Sequence, residues 1–87
     1  MNIEKVAKAG TLESNDILIM VSPNSNGEIN IDLESIVIKQ FGDQIKKTIL
    51  EKLKELDIES VNVKAQDKGA LDFTIKSRVE TAIKRAI

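Results

Sequence analysis

The sequence has no cysteine and no histidine. The first absence excludes disulfide staples, thiolate nucleophiles and cysteine-based metal sites; the second removes the commonest general base and the commonest zinc ligand. Tryptophan and tyrosine are also missing, and Phe41 and Phe73 are the only aromatic residues. A single-strand nucleic-acid binder uses a basic groove and stacking aromatics, and this composition supplies neither. No apolar run approaches the roughly 18 residues of a membrane helix, and the first ten residues lack the continuous apolar segment of a signal peptide. The four glycines, at 10, 27, 42 and 69, are scattered instead of gathered into a phosphate-cradling loop. A carboxylate pair remains available for acid-base work, but 87 residues leave little interior from which to shape a cleft. The expectation is a cytoplasmic chain that is not an enzyme on its own, binds no nucleic acid or metal and enters no membrane.

What is present suits one small folded unit. The chain is 41% hydrophobic and 31% charged with a net charge of −1, ordinary values for a globular domain and far from those of a disordered one. Residues 1–87 are therefore read as a single domain whose core is built from Ile, Val, Leu and Ala. Residues 1–10 show no sustained period and read as a loose N-terminal arm. Ile17-Leu18-Ile19-Met20-Val21 is a short apolar, β-branched run that Pro23 ends, and Glu28 to Glu34 alternate strictly between polar and apolar, so both read as strands. The turn formers Pro23 to Gly27 between them predict a hairpin.

Helical spacing then takes over. Phe41, Ile45, Ile49, Leu53 and Leu56 recur every three or four residues, which predicts a helix over about 36–56 with Ser35 as its cap. Gly42 inside it marks a close packing approach or a local irregularity. Ser60 to Ala65 alternate again as a third strand, Asp67-Lys68-Gly69 turns, and Leu71, Ile75, Val79 and Ile83 give a second helix with Lys84 and Arg85 near its negative end. The class is α+β: a β-hairpin, then helix, strand and helix, with a small three-stranded sheet covered by two helices. A crossover from the second strand through the first helix would set the second and third strands parallel.

Charge is uneven. Residues 1–35 hold two Lys and six acids, net −4, and residues 36–87 hold eleven Lys and Arg and eight acids, net +3. Such faces are either ordinary solvated surfaces or docking surfaces for larger partners. One segment stands apart, Ala9-Gly10-Thr11-Leu12-Glu13-Ser14-Asn15-Asp16. It precedes the first strand, where backbone is exposed, and sets a hydroxyl between the carboxylates of Glu13 and Asp16. An exposed serine there can enter a modifying enzyme's pocket and accept a phosphate-linked group; Ser22, Ser25 and Ser35 are competing exposed serines.

That segment, followed by Gln40-Phe41-Gly42 with Ile45 and then by Asp67-Lys68-Gly69-Ala70-Leu71-Asp72 with Arg78, Glu80 and Ala82, resembles the acyl carrier protein (gamma subunit) of citrate lyase. The resemblance covers nearly the whole chain, and it is specific because three separate motifs occur in order. It implies that Ser14 carries 2'-(5''-phosphoribosyl)-3'-dephospho-coenzyme A through a phosphodiester bond, attached by a prosthetic-group transferase. It further implies that the arm's thiol presents acetyl and citryl groups to the alpha and beta subunits during cleavage of citrate to acetate and oxaloacetate. A carrier of this kind needs no cysteine or histidine, because the thiol belongs to the attached group. Similar chains often have Cys where this one has Phe73, a change read here as conservative in burial. Glu13 and Asp16, the charges nearest Ser14, are the candidate docking residues. The carrier subunit of malonate decarboxylase, which uses the same type of group, and an unmodified α+β interaction module are the alternative readings.

Overall fold

The computed structural model describes residues 2–87. Six elements run in the order β1 (Ala7–Gly10), β2 (Ile17–Ser22), β3 (Ile29–Ser35), α1 (Ile38–Glu55), β4 (Val61–Asp67) and α2 (Asp72–Ala86). The class is α+β, as the sequence predicts, with four strands in place of three. The sheet order is β1-β2-β4-β3; β2 is antiparallel to both β1 and β4, and β3 is parallel to β4.

The expected hairpin does not form. The Pro23–Gly27 turn reverses the chain, so β3 does run antiparallel to β2, but β4 lies between them. Strand spacing of about 4.8 Å means that the turn must bridge close to 10 Å. It is held over the start of β4: Asn24 Nδ2 and Asn30 Nδ2 both donate to Asn62 Oδ1, each at 3.1 Å, and Val61 N donates to Glu28 O at 3.1 Å. The β3-α1-β4 crossover gives the parallel pair that the order of elements allows.

Nor is the N-terminus loose over the described part of residues 1–10; Met1 lies outside the described residues. Ala7 to Gly10 pair with Val21 to Leu18, Ile3 is buried, and Glu4 and Lys5 N–H groups donate to Ala86 O at the end of α2. Small side chains let α2 lie close over β1, with Ala9 buried against Ile19, its cross-strand neighbour.

Both helices cover one face of the sheet. Alternation places Ile17, Ile19 and Val21 of β2 and Val61, Val63 and Ala65 of β4 inward, where they meet Ile45, Ile49 and Leu53 of α1 and Ile75, Val79, Ala82 and Ile83 of α2. Burial of these branched side chains contributes about 1.5–3 kcal/mol each before entropy is counted. The other face carries Asn30, Asp32, Glu34, Asn62, Lys64 and Gln66 and is wet. Ser35 does not cap α1 directly: the cap position is Val37, whose N–H donates to Ser35 Oγ at 3.1 Å. Gly42 is buried, and the atoms nearest a side chain there belong to Ile38, one turn earlier in the same helix.

Several connections converge at one edge of the sheet. β1 and β3 finish, β2 begins and β4 finishes there, since Gly10 pairs with Leu18, and Ile17 and Ser35 both pair with Asp67. The 11–16 loop, the 36–37 turn, the 68–71 turn and the first turns of α1 and α2 therefore gather at that edge.

Candidate functional site

The 11–16 loop is short, exposed and pinned from three directions. Gly10 enters it at φ +96°, and Asn15 turns out of it at φ +66°, a left-handed conformation that Asn tolerates better than most residues. Between them, Glu13 N donates to Thr11 Oγ1 at 3.2 Å, Asp16 N donates to Glu13 O at 3.2 Å, and Thr11 Oγ1 donates to Asp16 Oδ2 at 2.7 Å. Across the sheet edge, Asn15 N donates to Lys68 O at 2.8 Å and Lys68 N donates to Asp16 O at 2.9 Å. These bonds extend the β2-β4 pairing past its last residues and fasten the loop to the 68–71 turn.

Asp16 is the keystone. Arg78 of α2 grips its carboxylate with both arms, Nε to Oδ1 at 3.0 Å and a terminal nitrogen to Oδ2 at 2.9 Å, while Ile17 N donates to Oδ1 at 2.7 Å. The Asp16 side chain is 13% exposed and that of Arg78 38%. Its carboxyl is lowered from 3.8 to about 2, first by the hydrogen bonds from Arg78, then by those from Thr11 and Ile17 N, against the opposing cost of burial. Ser14 and Glu13, by contrast, are exposed on the outer side of the same loop. Of the two acids expected at a docking surface, then, Glu13 offers a free charge to solvent. Asp16 is engaged within the chain and shapes the loop instead.

Two further residues complete the platform. Asp67 is 2% exposed. Its carboxylate accepts from Ser35 Oγ at 2.8 Å, Gly69 N at 3.1 Å and Ala70 N at 2.9 Å, so one buried acid ties the ends of β3 and β4 to the start of α2. Beside it a groove of about 790 Å³ opens between the first turns of the two helices, lined chiefly by Val37, Phe41, Ala70, Leu71 and Phe73, with Gln44 and Asp72 at its polar edge. Neither phenylalanine joins the core. Phe41 is 49% and Phe73 72% exposed, which corrects the expectations that Phe41 lies on the inward stripe of the first helix and that Phe73 is conservative in burial.

Sequence reading overlooked Arg78 and Asp67 as organisers. Each left a signal: Arg78 falls on the buried stripe of α2, one turn from Ile75 and from Ala82, and Asp67 occupies the inward register of Val61, Val63 and Ala65. A charge on an apolar face implies a partner held there.

The Asp16-Arg78 pair gives a pH prediction. A carboxyl depressed in the folded state contributes stability that is fully present above its unfolded value near 3.8 and is lost as pH falls toward about 2. With Arg78 more than a third exposed, solvent screening keeps the pair to about 1–2 kcal/mol, below what the shift alone implies. Arg78→Ala should therefore lower unfolding free energy by about that amount at pH 7, and the deficit should close between pH 4 and pH 2. Glu80, held at about 2 by Lys84 and Lys52, titrates in both proteins and cancels in the comparison. Denaturant titration of both proteins at several pH values checks this; a deficit constant from pH 7 to pH 2 would refute it.

Comparison with known proteins supplies the family. The family model described as malonate decarboxylase delta subunit (MdcD) matches residues 4–86. The citrate lyase acyl carrier protein of Lactiplantibacillus plantarum is 58% identical over 100% of this chain and 90% of its own length, and that of Lactobacillus acidophilus 57% identical over 99% and 88%. This chain belongs to the citrate lyase acyl carrier protein family. In fold it is similar to a chain of a Pseudomonas malonate decarboxylase hetero-tetramer solved in complex with malonate, at a TM-score of 0.80 and 16% identity, covering 100% of this chain and 93% of that one. Membership carries an acyl carrier role. Among the described residues no helix is long and apolar enough to cross a membrane.

Proposed function

We propose that this chain is the gamma, acyl carrier subunit of a citrate lyase, cytoplasmic and without catalytic side chains of its own. In this reading Ser14 holds 2'-(5''-phosphoribosyl)-3'-dephospho-coenzyme A through a phosphodiester and presents acyl groups to the alpha and beta subunits. The observation that carries it is the setting of Ser14: an exposed hydroxyl on a loop whose flanks are fixed to β4 and α2. That setting fits a phosphodiester. The oxygen is accessible, the charge of Asp16 next to it is already neutralised by Arg78, and the backbone at Asn15 and Asp16 is tied to Lys68, so a load on Ser14 does not strain the core. When attached, the group supplies the thiol that the sequence lacks.

The competing serines are placed less well. Ser35 Oγ is bonded to buried Asp67, and Ser22 and Ser25 lie at or beyond the far end of β2, away from the gathered loops. Intact mass of protein made in its native host, followed by peptide mapping, tests the assignment. A phosphodiester mapped to Ser22, Ser25 or Ser35 would overturn it.

A second reading, carrier of a malonate decarboxylase, is favoured by the description of the matching family model and by the fold of the Pseudomonas chain. Relatives at 57–58% identity favour citrate lyase. Copurified partner subunits separate the two.

Docking at Ser14 gives another prediction. Exposed Glu13 is the free charge beside the serine, and a rim charge acts mainly on association rate. Glu13→Lys should slow attachment by the prosthetic-group transferase several-fold at low salt, less at high salt, with the fold unchanged. Rates of mass gain at two ionic strengths check it, and equal rates for both proteins at both would show that Glu13 is only solvated. Asp16→Lys is a different experiment, since it would break the grip of Arg78 and deform the loop itself.

A further inference from the structure

The only two aromatic rings of the chain are both on the surface and both line one groove. In an 87-residue domain short of large apolar side chains, keeping them out of the core calls for a reason. The groove they line is the one between the first turns of α1 and α2. Leu71, on its rim, is a further 64% exposed. Its volume of about 790 Å³ lies in the range of small-ligand sites.

We propose that this groove binds the nucleoside portion of the group carried by Ser14, folding the arm back on the carrier between visits to its partners. The proposal rests on Ser14 as the attachment point. Three features point to a planar, uncharged heteroaromatic occupant. Phe41 and Phe73 offer stacking faces, which favour a base over a flexible aliphatic amide chain. Gln44 and Asp72, joined by a 3.3 Å hydrogen bond, put one donor group and several acceptors at the groove edge, where an exocyclic amine or ribose hydroxyls can pair with them. Asp72 is acidic and exposed at the groove edge, so the diphosphate of the arm is repelled there and stays outside.

Proximity supplies the rest. Asn15, the residue after Ser14, is bonded to Lys68 O, and a side chain at Gly69 would lie 3.6 Å from Asn15 Oδ1. Gly69 is itself part of the groove wall, so the attachment point and the groove are separated by little more than one residue. A short tether gives an effective concentration on the order of millimolar, and a site of only millimolar intrinsic affinity is then substantially occupied. Such weak holding suits a carrier that must release its arm to each partner in turn.

The experiment titrates the isotope-labelled, unmodified chain with free dephospho-coenzyme A to about 10 mM, roughly ten times the tethered effective concentration. Resonances of Phe41, Ala70, Leu71 and Phe73 should shift along one saturable curve, adenosine should reproduce the shifts and pantetheine should not. Phe73→Ala, a change at an exposed position, should weaken binding about five-fold or more, the effect of one lost stacking contact. In the loaded protein, cross-peaks between adenine protons and the two rings should appear. Absence of shifts at those four residues, shifts produced by pantetheine but not adenosine, or shifts confined to lysine-rich surfaces would each overturn the proposal. Because the probe is free in solution, these outcomes stand apart from the Ser14 assignment, which fails only if mapping places the group on another residue.

Discussion

Ser14→Ala is expected to abolish the mass gain of modification completely and, with it, acyl transfer through the complex, while changing stability by less than about 0.5 kcal/mol. The contrast follows from where the loop draws its order. Thr11, Glu13, Asn15 and Asp16 make the hydrogen bonds that shape it and fasten it to Lys68 and Arg78, and the exposed Ser14 side chain adds none among the described residues. Ser35→Ala is the informative control. It removes a donor from buried Asp67 and an acceptor from Val37 N, and should cost about 1–2 kcal/mol while leaving the mass gain intact. Intact mass and thermal unfolding of the two variants give opposite patterns if the assignment is right. A Ser14→Ala protein that still gains the full mass would end it.

Why the loop stood out in the sequence, and its surroundings did not, has a physical basis. Periodicity is a local property, and it placed β2, α1, β4 and α2 to within a few residues. β1 escaped it because Ala7-Lys8-Ala9-Gly10 is too short and too weakly apolar to show an alternation; its pairing with β2 and its cover by α2 make it a strand. Strand order is likewise non-local. Pro23 to Gly27 reads the same whether the next strand pairs with β2 or passes over β4, and the asparagine cluster at Asn24, Asn30 and Asn62 that holds the second arrangement is visible only in three dimensions. The two phenylalanines misled for a related reason. Phe41 keeps the spacing of the α1 stripe but stands in the first turn or so of that helix, while Phe73 shares its face of α2 with Lys76, Ser77 and Glu80, not with Ile75 and Val79, so its apolar character alone suggested burial. Asp16, finally, looks the same in sequence as Glu13. Only the arrival of Arg78 from 62 positions away separates a structural carboxylate from a free one.

Gly10→Ala should be the most destabilising single-methyl change in the chain. A Cβ on Gly10 would sit 1.8 Å from Ile17 O and 3.0 Å from Ile17 C, both backbone atoms, with Arg78 Cδ at 3.3 Å, and the residue holds φ +96°. No rotamer change relieves a clash with a carbonyl, so the β1-β2 pairing at Gly10 and Leu18 must open. Opening moves Ile17, whose N–H is bonded to Asp16 Oδ1, and so disturbs the same carboxylate that Arg78 and Thr11 hold. Backbone strain alone costs about 1–3 kcal/mol, and the lost pairing and loop bonds raise the total to about 3–5 kcal/mol. A domain of this size has on the order of 4–13 kcal/mol in all, so much of its stability is at risk. Gly27 provides the comparison: it also has positive φ, +72°, yet nothing lies within 4 Å of an added Cβ. Gly27→Ala should therefore cost only about 1 kcal/mol, the conformational part without the collision. Denaturant midpoints of the two variants distinguish the two contributions. Equal losses would mean that dihedral strain, and not contact with the Ile17 carbonyl, dominates at Gly10. The larger loss at Gly10, accompanied by slower modification of Ser14 under conditions where the variant remains folded, would tie the glycine at the mouth of the loop to presentation of the serine at its crest.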